Sequence, residues 1–112
     1  MGTQKTWAWL IGVILVLIGI WGFISNPVAG LFPVNALHNI VHLVTGLIFI
    51  WAAAKGAAKP ANQWLGIIYV VVAILGFLGV LSFLAVAGGN DPDNWLHLVI
   101  GIVSVLVGYA AK

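Results

Sequence analysis

Apolar residues fall in four near-continuous runs, at about Trp7–Ser25, Asn35–Ala54, Gln63–Ala87 and Pro92–Ala111. Each is about the 20 residues a helix needs to cross ~30 Å of hydrocarbon at a rise of 1.5 Å per residue. The pattern predicts four transmembrane helices in a single domain spanning residues 1–112. The breaks follow from local chemistry. Asn26-Pro27 and Phe32-Pro33 bracket the first turn, because proline pushes the residue before it out of helical geometry. Lys55-Gly56 and Lys59-Pro60 bracket the second, and Gly88-Gly89-Asn90-Asp91-Pro92 forms the third. Asp91 before Pro92 reads as an N-cap followed by proline at the first helical position.

Composition supports a lipid solvent. Of 112 residues, 63% are hydrophobic and 5% charged, against roughly 45–50% and about 25% in an ordinary soluble domain. The charged residues are four Lys and two Asp, too few to cover a soluble surface or to form a cationic patch for nucleic acid. With no Cys there is no disulfide, no thiolate metal site and no thiol nucleophile. The first run exceeds a signal-peptide h-region, so it is expected to be retained. Lys5, Lys55, Lys59 and Lys112 share one side if there are four crossings, and the first and third loops carry no Lys. Both termini are therefore expected in the cytoplasm. Trp7, Trp9, Trp51, Trp64 and Trp95, near the span ends, are expected at the membrane interface.

The chain repeats itself. At an offset of 55, Asn39-Ile40-Val41-His42-Leu43-Val44-Thr45-Gly46 aligns with Asn94-Trp95-Leu96-His97-Leu98-Val99-Ile100-Gly101, and at 54 Gly12, Gly22 and Phe23 align with Gly66, Gly76 and Phe77. The predicted fold is an all-α, four-helix transmembrane bundle of two tandem helical hairpins related by a pseudo-two-fold axis along the membrane normal. Asn94, His97, Gly101, Ser104, Gly108 and Ala111 lie on one face, a seam of small and polar residues suited to close helix contact. Gly12, Gly19 and Gly22, and Gly66, Ala73 and Gly76, form similar runs expected to point inward.

His38, His42 and His97 lie one to two turns inside their helices at the lysine-free side, where ionisable groups call for explanation. One reading is structural: neutral imidazoles hydrogen-bonded to Asn39 and Asn94 on neighbouring helices. A second makes His42 and His97 ligands of haem or a chlorophyll-type pigment, with His38, Asn39 and Asn94 as supporting polar residues. The i, i+4 pair His38 and His42, with His97 as a third ligand, has zinc or copper spacing, but no carboxylate second shell is evident in the same stretch and no metal site is assigned. A pH sensor or proton relay is the remaining possibility. The structural reading is preferred, with no cofactor expected.

Nothing suggests an enzyme. There is no Glu, Asp91 and Asp93 read as caps, and Ser25, Ser82 and Ser104 have no activating arrangement. Apart from Asp93, read as a cap at the start of the fourth, the spans hold no charged residue that could line an ion path. The stretches Leu37-His38-Asn39-Ile40-Val41-His42-Leu43 and Asp93-Asn94-Trp95-Leu96-His97-Leu98, each leading to a Gly, resemble the signatures of an uncharacterised family of small bacterial four-helix membrane proteins, a domain of unknown function. The resemblance covers nearly the whole chain and implies a bacterial inner-membrane location, with no activity. Family members often have longer extracellular loops, so the short turn at Asn26–Val34 argues against a loop-borne site. The expectation is a non-enzymatic structural or accessory membrane component. Its partners would be the lipid bilayer and either a larger membrane complex or further copies of itself.

Overall fold

The apolar runs fold as helices α1 (Thr3–Ile24), α2 (Ala36–Ala54), α3 (Ala58–Phe77) and α4 (Pro92–Ala110), with a short 3-10 turn at Ser82–Leu84. The computed structural model describes residues 2–86, 88–89 and 91–112; Ala87, placed by the sequence in the third span, and Asn90 of the third loop lie outside the described residues. All four helices are long and apolar enough to cross a membrane. Two start signals are visible in the side chains: Asn35 accepts from the His38 amide at 2.9 Å, and Asp91 accepts from the Asp93 amide at 2.9 Å with Pro92 in the first turn. Asp91 is thus the expected N-cap, satisfying one of the orphan donors of the helix start.

The third span differs from expectation, running over Ala58–Phe77 in place of Gln63–Ala87. Lys59-Pro60 does not break the chain, because Pro60 sits in the first turn, where a missing N–H is harmless. At the other end Gly79 adopts φ +77° and stops the helix. The apolar stretch beyond it folds back over the bundle, burying Leu81 and Val86. Its hydropathy resembles a span, yet its role is to roof the interior.

Helix α1 packs chiefly on α2, and α3 on α4; contacts between these two hairpins are sparser. The glycine seams mediate the close contacts. A Cβ on Gly46 would lie 2.8 Å from the Gly12 carbonyl oxygen, and one on Gly101 only 2.6 Å from the Val70 amide nitrogen. Backbone therefore meets backbone on the faces expected to point inward.

The two ends differ. Near the termini, an apolar core including Ala8, Leu15, Phe49, Leu65 and Ile100 is closed by a polar knot. Gln4 Nε2 donates to the carbonyls of Val107 (2.6 Å) and Ala111 (3.1 Å), and Asn62 Nδ2 donates to Gln4 Oε1 at 2.9 Å. The Val107 carbonyl also accepts from the Ala111 amide at 3.1 Å, whereas that of Ala111 lies past the last helical residue, where the helix supplies no donor. Lys5, Lys55, Lys59 and Lys112 all belong to this end, close to the helix termini that form it. Trp51, Trp64 and Trp95 expose their rings. Trp7 departs from the interfacial expectation: it turns inward and donates from Nε1 to Ser104 Oγ at 2.8 Å.

Candidate functional site

At the opposite end, beneath the loops, the two hairpins enclose a histidine chamber. The i, i+4 spacing stacks His38 and His42 on one face of α2, with ring centroids 4.4 Å apart. His97 reaches them from α4, its ring 5.5 Å from His38 and 5.8 Å from His42. All three are at most 2% exposed. One ring nitrogen from each falls within 4.8 Å of the others.

The roof fixes one tautomer. His38 Nδ1 lies 2.9 Å from the Leu84 carbonyl oxygen. A carbonyl only accepts, so in the neutral ring Nδ1 carries the proton and Nε2 carries the free lone pair. That Nε2 has no partner, and neither do His42 Nδ1, His42 Nε2 or His97 Nδ1. A buried polar atom left unpaired costs about 1–3 kcal/mol, so four in one chamber are expensive for a purely structural cluster.

The chamber has a volume of about 50 Å³ and is lined by the three histidines with Thr45, Tyr69 and Leu84 among its walls. That is room for a few water-sized groups. A macrocycle ligated by His42 and His97 would require the space between the hairpins to open. Tyr69 presents its ring 5.7 Å from His97, while its hydroxyl is 2.7 Å from Thr45 Oγ1.

The expected Asn–His hydrogen bonds are not formed, since both nitrogens of His42 and Nε2 of His38 have no partner. Asn39 and Asn94 serve helix packing instead. A Cβ at Gly22 would overlap the Asn39 amide and one at Gly76 the Asn94 amide, so each asparagine fills space left by a glycine on the facing helix. Asn94 Nδ2 also donates to the Gly89 carbonyl at 3.1 Å. Neither asparagine lines the chamber.

Asp93 also departs from expectation. It is not a cap: its side chain is wholly buried and both carboxylate oxygens are without hydrogen-bond partners. It lies one turn before His97 on α4, and at the offset of 55 it corresponds to His38 on α2. In the sequence Asp93 reads only as a cap, and Thr45, Tyr69 and the Gln4–Asn62 pair do not stand out. The position of Asp93 in the repeat was the available signal; Thr45 and Tyr69 had none, because apolar runs routinely contain such residues.

Fold and chamber together define a class: a membrane-type four-helix bundle that gathers its three histidines into one enclosed layer under the loops. Residues 5–110 match a known family, the domain of unknown function DUF4383, and the chain belongs to it. No curated protein and no solved structure matches the chain.

Proposed function

We propose that this small multi-pass membrane protein is a non-enzymatic structural or accessory component of the bacterial cytoplasmic membrane or of a complex within it, with both termini cytoplasmic. The size of the chamber carries this reading: about 50 Å³ cannot admit an organic substrate. The Ser104 hydroxyl accepts from Trp7 at 2.8 Å and lies outside the chamber, and those of Thr45 and Tyr69 in its wall bond each other at 2.7 Å. Outward faces are apolar, with Leu17 59% and Leu106 60% exposed, and they suit lipid or the helices of a neighbouring subunit. Photo-crosslinkers at Leu17 and Leu106 in native membranes should trap a discrete protein neighbour, either a second copy or another subunit. Adducts with lipid alone at both positions would rule out a role in a complex.

The approach of His42 on α2 and His97 on α4, ring centroids 5.8 Å apart, favours a second reading, a haem or chlorin held between the hairpins. Protein purified from its native membrane would then carry a visible absorption band, lost in both His42→Gln and His97→Gln. A colourless preparation eliminates it.

A further inference from the structure

We infer that His38, His42 and His97 form a three-imidazole site for a divalent first-row transition-metal ion of the zinc class. Three imidazole nitrogens, one per ring, already converge to within 4.8 Å in a chamber closed to bulk solvent. Zinc–imidazole bonds of about 2.0–2.1 Å set tetrahedral ligand nitrogens roughly 3.4 Å apart, so the rings need to draw in by little more than an ångström.

The arrangement around His38 is the one a metal ligand requires. Its Nδ1–H donates to the Leu84 carbonyl, which fixes the ring orientation and leaves the Nε2 lone pair aimed at no protein group. Metal-bound histidines commonly donate their second nitrogen to a carbonyl or carboxylate in this way. His42, with both nitrogens unpartnered, has a lone pair free in either tautomer.

Charge points the same way. Three neutral imidazoles contribute none, while the start of α4 places two carboxylates nearby. Asp91 is near enough to interact electrostatically with His38 and His97. Asp93 is fully buried, one turn from His97, with neither oxygen hydrogen-bonded. A divalent cation in the chamber lies within electrostatic reach of Asp91, with buried Asp93 one helical turn from the ligand His97. Imidazole donors without thiolate or an oxygen cage suit zinc, copper, nickel and iron over magnesium or calcium. The remaining volume beside Tyr69 and Thr45 leaves a fourth coordination position for a small ligand such as water.

The test uses the full chain in detergent, stripped with chelator, incubated with Zn²⁺ or Co²⁺ and desalted, with metal counted by mass spectrometry. Wild type should retain about one equivalent, show the visible bands of tetrahedral Co²⁺, and melt at a higher temperature with Zn²⁺ but not with Mg²⁺. His42→Gln and His97→Gln should each weaken binding more than about tenfold. Asp93→Asn keeps the side-chain shape and all three imidazoles, so it should still bind, but more weakly. Should the glutamine variants fail to fold, the wild-type stoichiometry and Co²⁺ spectrum decide alone. Wild type that retains no metal, or binding undiminished in folded His42→Gln and His97→Gln, overturns the assignment and leaves only water or adventitious ions in the chamber.

Discussion

At His42 the rule that buried polar atoms are paired fails at both ring nitrogens. Its neighbours show how narrowly: His38, one turn away, is anchored by Leu84, and Thr45 is anchored to the Val41 carbonyl at 2.8 Å. The residue-scale prediction follows from the asymmetry between removing one partner and removing an atom that has none. In chelator-stripped protein, His42→Leu strands no protein group, so its stability should match wild type or exceed it by up to about 1 kcal/mol. Asn39 and Asn94 do not depend on the ring, so His42→Leu should cost no more than His42→Gln. Thermal melting of stripped protein in detergent checks this, and a loss above about 2 kcal/mol would show that the ring has protein partners. With Zn²⁺ present the comparison should reverse, since only wild type has an ion to hold.

At the scale of helices, the fold rests on backbone contacts that glycine permits. Gly101 is the tightest case, with the Val70 amide nitrogen 2.6 Å from where its Cβ would stand. Gly101→Leu must push α3 and α4 apart and should cost about 1–3 kcal/mol or more. Leu106→Ile, on the same helix but 60% exposed, should stay within about 0.5 kcal/mol. Unfolding in detergent compares them, and equal stability would mean that the seam is not a helix contact. Separating α3 from α4 should also move His97 from the other rings, so Gly101→Leu is expected to weaken Zn²⁺ retention although it touches no histidine.

For the whole molecule, the decisive feature is polarity between its ends. Lysines and the Gln4–Asn62 knot occupy the terminal end; the histidine chamber, the two Asp residues and the loop roof occupy the other. On the orientation proposed above, the side that carries four Lys in short segments faces the cytoplasm. The chamber then lies near the external face. Cysteines introduced at Leu31 and Phe83, exposed in the two roof connections, should react with an impermeant maleimide outside intact cells, and one at Gly2 should not. Labelling at Gly2 alone would invert the orientation.

Helix number, the inward glycine faces and the Asp91 cap were legible in the sequence because each depends on short-range facts: run length, i, i+3, i+4 spacing and the identity of a capping residue. The limits of α3 were not. Hydropathy cannot distinguish a spanning helix from an apolar roof, and the difference turns on the backbone at Gly79 and on Pro60 tolerated in a first turn. The chamber needed the tertiary structure most. Spacing on α2 could pair His38 with His42, but the arrival of His97 depends on how two hairpins pack. The tautomer of His38 depends on a carbonyl 46 residues away, delivered by a loop. Asp93 reads as a cap in one dimension because it stands in a first turn; only the packed bundle makes it a buried carboxylate without a hydrogen-bond partner.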